Sequence, residues 1–558
     1  MKTQFNSRLS YSDIFKDKPN IFTLVKKIDF YPALEFLVVI NKYEHKIQKE
    51  PNSEIKFILN NWLPYSSEKI KNKIIAAYSR VGFNKQKNKI DLSNTKILNT
   101  ASTLRLMELL LAKSVPQQKS LEEATGLECL FKAYLLINDE FTNRENLIFS
   151  KWFPIKNPEN EIRLHLFLGL NLYAVNNEFV SKQYQAGFLK LFELEKWLRN
   201  HPDYKKLSTA YLKEIGLNSW YEYFNDIFQL LNIALGTHKF SAKIDVPYKS
   251  VSEYLSQRIE EKPTWSELIN LRKNPLLKLE NDEYLILHLG FLMDKFFSGL
   301  YHDLLHFSKK MEINNFHQDY SKVFLEKFLL KSALNSCFKN NYIQFSEEDI
   351  KKKGVKKIEN LSLPDYYIRN GNKVMMFECK NSFLANTNKI ELNFDKIEDD
   401  VVNKFYRSGR KKKALLQLIN FIQNSSVGKY LFFDEIRKLL NIRYYPIIVV
   451  TDDAMVSLGV NQLLNEFFAK EKDKLEVGFR KRIFPVTIIH IDDFFYYGSD
   501  INRLFRIIAY YHDFIKKQKG VESMISFSSF LDTEHIKRKP IREKDIRHIL
   551  EYSLLPTE

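Results

Sequence analysis

Asp365, Glu378 and Lys380 are the residues of this chain whose types and spacing could do chemistry together. They lie in LPDYYIRNGNKVMMFECKN, from Leu363. Asn370-Gly371 or Gly371-Asn372 signals a two-residue hairpin turn, because such turns need residues that tolerate positive φ. With Gly371-Asn372 as the loop, Asn370 faces Lys373 and Asp365 falls opposite Glu378. With Asn370-Gly371, the pairing slides by two and the carboxylates become diagonal neighbours. Either register keeps both on one face, since side chains alternate with a period of two. Lys380 joins that face, and Cys379 turns toward a core. Three charged residues at the end of the apolar run VMMF are costly unless they serve something.

Opposed carboxylates repel, and a divalent cation removes the repulsion. Oxygen ligands suit Mg²⁺ or Mn²⁺ rather than zinc. Such an ion polarises a phosphoryl oxygen and acidifies a bound water. A neighbouring lysine can orient that water or stabilise charge developing on the phosphate. The plain alternative is a surface hairpin with a cross-strand charge pair. Glu-x-Lys alone carries no weight in so Lys-rich a chain; Glu260-Glu261-Lys262 matches by accident. The weight lies in the combination: Pro364-Asp365, a tight turn, an apolar strand, then Glu-x-Lys at the facing register.

The elements that must position these residues begin at Asp319. DYSKVFLEKFLLKSALNSCF reads as a helix, with Val323, Phe324, Phe328, Leu329 and Leu330 at helical spacing and Glu326 on the flank. A short extended segment, NYIQFS, and a Lys-rich connection lead to the two hairpin strands. A basic loop, KFYRSGRKKK, and a strong helix, ALLQLINFIQN, follow. YYPIIVVTDD reads as a buried strand bounded by Pro446 and Asp452. A helix from about Val460 to Lys470 leads to a last buried strand, FPVTIIHIDDFF. The order is helix, two or three antiparallel strands, helix, strand, helix, strand, which implies a mixed sheet with helices packed on it.

This stretch resembles the PD-(D/E)xK nuclease superfamily, through Pro364-Asp365 and Glu378-Cys379-Lys380. The resemblance covers about 319–495. It implies an αβββαβ core and hydrolysis of DNA phosphodiesters with Mg²⁺ (or Mn²⁺), with Asp365, Glu378 and the backbone carbonyl of Cys379 on the metal and Lys380 beside it. It further implies an acidic residue on the first helix, for which Glu326 is the candidate. The later helix can carry a Gln near the site, which would be Gln417; the Tyr expected soon after it in RecB-type members is replaced by Phe421. By analogy, a helical region fused to such a domain suggests a restriction or anti-phage defence endonuclease, acting with a second copy of itself or with partner defence proteins. The alternatives are an RNA-cleaving nuclease and a non-catalytic nucleic-acid-binding protein of the same fold.

Composition is consistent with that expectation. The chain has 558 residues, enough for two to four units. Its net charge of +17 favours polyanionic partners, although an AT-rich coding bias toward Lys gives the same excess. Gly and Pro number only 16 each, which favours long helices. Residues 1–257 read as helix after helix, such as TASTLRLMELLLAKSV with Ser102 or Thr103 as its cap, and carry no recognisable chemistry. Trp62, Trp152, Trp197 and Trp220 are expected in cores. RIEEKPTW reads as a linker, and 265–558 as the nuclease domain. The fold class expected is therefore α + α/β, a helical region followed by a restriction-endonuclease-like mixed-sheet domain.

Lys404, Arg407, Arg410, Lys411, Lys412 and Lys413, with Phe405 and Tyr406 interleaved, could grip a phosphate backbone beside the site. HIKRKPIREKDIRH, from His535, is a second basic stretch. Asp452-Asp453 and Asp492-Asp493 are expected to cap the turns that follow their strands. Cys129, Cys337 and Cys379 are too dispersed for a zinc ribbon or a disulfide framework. No signal peptide or membrane span is legible, so a cytoplasmic protein is expected.

Overall fold

The computed structural model describes residues 7–47, 53–81, 83–84, 89–90, 95–112, 123–155, 157–172, 180–236, 241–243, 249–256, 268–279, 282–338, 342–354, 362–381 and 386–533. RIEEKPTW and HIKRKPIREKDIRH lie outside these residues. The chain forms two compact units, drawn from alternating segments of sequence. The first gathers Met1–Lys151 and Leu212–Lys295; the second gathers Trp152–Tyr173, Phe179–Tyr211 and Phe296–Glu558. This differs from a linear division into 1–257 and 265–558. Two helices of the first half, α1 (Pro158–Leu172) and α2 (Val180–Asn200), bury their apolar faces in the second unit. Trp197 of α2, for example, packs 5.3 Å from Phe324, and Phe167 of α1 packs 4.8 Å from Phe394.

The first unit is mostly helical. The helix Thr100–Leu111 buries Leu104, Leu106, Leu109, Leu110 and Leu111. Its cap is Asn99 rather than Ser102 or Thr103: the Asn99 side chain accepts from Ser102 N–H at 2.8 Å. The helix starts a turn earlier than its apolar stripe suggests, so Ser102 and Thr103 are buried within it. Trp62 is fully buried, edge-on to Phe131 and Tyr134. Strands Leu276–Lys278 and Glu283–Ile286 join Ser241–Lys243 in a three-stranded sheet of this unit.

The second unit is built on five strands: β1 (Ile343–Ser346), β2 (Tyr366–Asn370), β3 (Lys373–Lys380), β4 (Arg443–Val450) and β5 (Thr487–His490). Their order is β5-β4-β3-β2-β1. The β1–β2 and β2–β3 pairs are antiparallel, and the β3–β4 and β4–β5 pairs are parallel. A π-helical stretch, Tyr320–Leu329, runs into α3 (Leu330–Cys337) before the sheet begins. Helices α4 (Glu347–Lys352), α5 (Phe394–Phe405), α6 (Ala414–Ser426), α7 (Val460–Lys472) and α8 (Ile491–Tyr497) connect or follow the strands. One face of the sheet meets α6 through Tyr367 and Phe421; the other meets α8 through Phe377 and Phe494. The protein thus combines a largely helical chain with a mixed sheet in its C-terminal half; α4 and α5 stand where the sequence suggested only connections, because both are short or strongly charged segments without a long apolar stripe. Among the described residues no helix is long and apolar enough to cross a membrane.

Pro446 lies inside β4 instead of bounding it. Tyr444 N–H donates to Arg482 O, and the direction alternates along a strand, so residue 446 would also donate toward β5. Pairing there resumes only at Ile447 and Thr487. The missing N–H of proline falls in that gap, where no ladder bond is lost. Asn461 and Asn465 of α7 hold β5 and its approach. Ile488 N–H donates to Asn461 Oδ1, and Val486 exchanges two bonds with the Asn465 amide, all at 2.8 Å. Asn465→Ala leaves both backbone groups of Val486 without these partners and is expected to cost about 1–3 kcal/mol. A lower urea midpoint measures this; an unchanged midpoint would show that water replaces the amide.

Candidate active site

Gly371 has φ +58, and Asn370 pairs with Lys373. The loop is therefore Gly371-Asn372, and of the two registers the structure adopts the one that aligns Asp365 with Glu378. Regular pairing stops one step short, at Tyr366 and Phe377. Asp365 continues it with its side chain: Oδ2 accepts from Cys379 N–H at 2.7 Å. Its backbone carbonyl accepts from Glu347 N–H at 3.0 Å. Farther along the same face of β2, Tyr367 and Arg369 both donate to the Asp434 carboxylate at 2.6 Å. Backbone and side chains together fix the strand that carries Asp365.

Glu378 is 1% exposed. Its Oε2 accepts from Lys380 Nζ at 3.1 Å, while Oε1 is buried with no hydrogen-bond partner. Lys380 Nζ is also 4.0 Å from Asp365 Oδ2. The site opens on the side of Lys380 and Asp365, whose side chains keep 17% and 15% exposure. Cys379 is fully buried and faces the other way, its thiol 3.9 Å from Leu325 O in the π-helical stretch. Strand alternation thus separates the charged face from the apolar one as expected.

Burial dominates the protonation of the carboxylates. It raises the Asp365 pKa, against Lys380 and the Cys379 N–H, which lower it. Burial and the charge of Asp365 push Glu378 well above the ordinary carboxylate range, again against Lys380. Burial would lower Lys380, but Glu378, Asp365 and Glu326 more than offset it and hold the ammonium above its usual range. Glu326, half-buried on the π-helical stretch, is pushed up to about 7 by burial and by Asp365, with Lys380 opposing. Glu326 therefore belongs to the same electrostatic cluster. Among the described residues no three acidic, histidine or cysteine side chains are already closed around one metal position. The ammonium of Lys380 supplies the positive charge between Asp365 and Glu378.

The basic run divides. Lys404 ends α5, half-buried, with its pKa lowered by burial and sustained by Asp400 and Asp452. Phe405 is fully buried and Tyr406 stacks on Phe467 at 5.4 Å, so neither ring is presented for stacking on bases. Their apolar bodies serve the packing of α5 and α7. Arg407 lies over the Tyr406 ring and 3.7 Å from Glu471. Arg410, Lys411 and Lys412 are exposed on a two-stranded ribbon, where the sequence suggested only a loop. Lys413 caps α6, and half-buried Gln417 stands on its first turn. Among the described residues no hydrogen bond joins Gln417 to the carboxylates.

Sequence reasoning missed Asn381. Its amide nitrogen donates to Ser321 Oγ at 3.0 Å, and its Oδ1 accepts from Thr451 Oγ1 at 3.1 Å. It thereby ties the end of β3 to the π-helical stretch of Glu326 and to the end of β4. Its position directly after Glu-x-Lys was the only signal. Asp452 caps the turn after β4, accepting from Ala454 N–H at 3.0 Å, as expected. Asp492 and Asp493 instead pair with Lys190 and Lys182 of α2. Comparison of the chain with protein-family models, curated proteins and solved structures finds no match.

The raised Glu326 pKa gives a stability test. A carboxylate with a raised folded pKa stabilises fully below its ordinary pKa of 4.5, and that stability is lost as pH rises through about 7. Metal-free protein should therefore lose thermal stability across this window. Glu326→Gln should flatten the dependence, and Mg²⁺ should raise Tm more at pH 8 than at pH 5. Parallel melts of the two proteins with and without EDTA check this; identical pH dependence in both would remove Glu326 from the cluster.

Proposed function

We propose that the protein is a metal-dependent nuclease of the PD-(D/E)xK type that hydrolyses phosphodiester bonds in DNA. The observation that carries this reading is Glu378 Oε1: a buried carboxylate oxygen without a partner, beside a second carboxylate and a lysine. A buried carboxylate oxygen left without a partner costs about 1–3 kcal/mol unless a proton or a cation meets it. The donor set is hard oxygen, which fits Mg²⁺ or Mn²⁺. Asp365, Glu378 and the carbonyl of Cys379 would hold the ion, with Glu326 at its outer side. When bound, it would polarise the phosphate and acidify a water.

The chain's own residues have separable tasks. Lys380 remains protonated because its carboxylate neighbours stabilise the cation, so it serves as a charge and hydrogen-bond donor to the phosphate rather than as a base. Asp365 is held by the Cys379 N–H and the Glu347 N–H, so its carboxylate needs little reorganisation to bind. Glu326 titrates near neutral pH and would respond to the ion.

Purified protein is expected to degrade DNA with Mg²⁺ or Mn²⁺ and to stop with a chelator; unchanged cleavage in excess EDTA would sink the mechanism. Lys380→Ala should lower single-turnover cleavage by roughly 10²–10³ while the fold persists. Cys379→Val should retain activity, because an apolar β-branched residue suits that buried strand position. A dead Cys379→Val beside an active Lys380→Ala would mean that the chemistry lies on the other face. Glu326→Gln should slow cleavage less than Asp365→Asn, and a wild-type rate for Glu326→Gln would place it outside the reaction.

A further inference from the structure

The basic segment before α6 is a small antiparallel ribbon: Arg407 pairs with Lys412 and Ser408 with Lys411. Its loop is Gly409-Arg410, with Gly409 at φ +57 and open space where a Cβ would stand. Alternation places Lys411 and Lys412 on opposite faces of the ribbon, with Arg410 at the tip. All three are exposed, and among the described residues no carboxylate pairs with them. The base is fixed. Tyr406 stacks on Phe467 and donates to Glu471, Arg407 Nη2 donates to Tyr406 Oη at 2.7 Å, and Lys413 N–H donates to Tyr406 O at 3.1 Å. The ribbon is thus a rigidly rooted, cationic projection that buries neither face.

Its place in the unit follows from α6. Ser425, near the C-terminal end of that helix, bonds Tyr444 at the start of β4, at 3.2 Å. One turn earlier in α6, Phe421 packs on Tyr367, which lies opposite Met376, two residues farther along β3 than the Val374 that pairs with Tyr444; the N-terminal end of α6 therefore points toward the ends of β3 and β4, where Lys380 aligns with Val450. The ribbon leads directly into that helix end. The ribbon and Lys380 therefore stand at the same end of the sheet.

We propose that the Arg407–Lys412 ribbon enters the major groove of B-form duplex DNA, with Lys411 and Lys412 facing the two phosphate walls and Arg410 facing the base edges. The B-form major groove is about 12 Å wide and admits a two-stranded ribbon. The major groove of A-form RNA is deep and too narrow for one. Cations on both faces suit a groove with a phosphate backbone on either side, whereas a flat phosphate surface would use one face. This assignment rests on the nuclease reading for its substrate, and it narrows that substrate from DNA in general to duplex DNA.

The test is binding in EDTA, where no cleavage intervenes. Wild-type protein is titrated with a fluorescent DNA duplex of about two helical turns and with an RNA duplex of the same sequence. DNA should bind at least about tenfold tighter, since only it accepts the ribbon and its phosphate contacts. Arg410→Ala/Lys411→Ala/Lys412→Ala should erase the preference and reduce the salt slope for DNA by up to about three contacts. Gly409→Val keeps every charge but strains the positive-φ turn; it should also erase the preference while leaving most of the salt slope. Melts confirm that both variants are folded. Equal affinity for the two duplexes in wild type, no binding to either, or a preference that survives in either variant overturns the ribbon assignment. Metal-dependent cleavage of single-stranded DNA, measured separately, reports on the nuclease reading whichever way the duplex titration falls.

Discussion

Two carboxylates and a lysine share one face of the central β3 hairpin, and Glu378 among them has almost no contact with water. Desolvating such groups is expensive, and their attraction repays it only when geometry is close and the remaining polar atoms are satisfied. Here the repayment is incomplete. Lys380 reaches one oxygen of Glu378 and approaches Asp365, the Cys379 N–H takes one oxygen of Asp365, and the other oxygen of Glu378 is left over. The rest of the second unit can be understood as the apparatus that holds this unfavourable arrangement in place.

That apparatus acts at several distances. The Gly371-Asn372 turn sets the register, and the three hydrogen bonds from Tyr367 and Arg369 to Asp434 oppose any slip of β2. Asn381 links the end of β3 to Ser321 and Thr451, which aligns three separate segments around the charged face. The π-helical stretch is wider than an α-helix, and such stretches often mark functional sites. It carries Glu326, whose carboxyl the charge of Asp365 helps to raise, and its Leu325 carbonyl lies 3.9 Å from the Cys379 thiol. Farther away, Lys182 and Lys190 of α2 pair with Asp493 and Asp492 at the start of α8, all buried. Removing one partner of such a buried pair leaves an uncompensated charge, which is strongly destabilising.

Much was legible in the sequence because hairpins are local. The positions of Pro364-Asp365, Gly371 and Glu378-Cys379-Lys380 within one short span decide which side chains share a face, since a period of two leaves no freedom once the turn is fixed. The choice between the two registers was not legible, because Asn and Gly both tolerate the turn; the ladder between Asn370 and Lys373 decides it. Helix existence followed from apolar spacing, but caps and ends did not. Asn99 rather than Ser102 or Thr103 caps its helix because backbone geometry, not residue type alone, selects the acceptor.

The sequence by itself determined the face-sharing of Asp365, Glu378 and Lys380 and the apolar strands around them, but not α4, α5 or the two-stranded ribbon among those strands. These depend on contacts between near neighbours. Only the tertiary structure decided how the segments sort into units, because α1 and α2 are assigned by the surface they bury and not by their place in the chain. It likewise decided that Pro446 sits inside a strand, at a gap in pairing, and that Phe405 and Tyr406 serve packing while Arg410, Lys411 and Lys412 remain exposed. Burial, pKa and the fate of a charge are set by partners far away in sequence, and no local pattern encodes those distances.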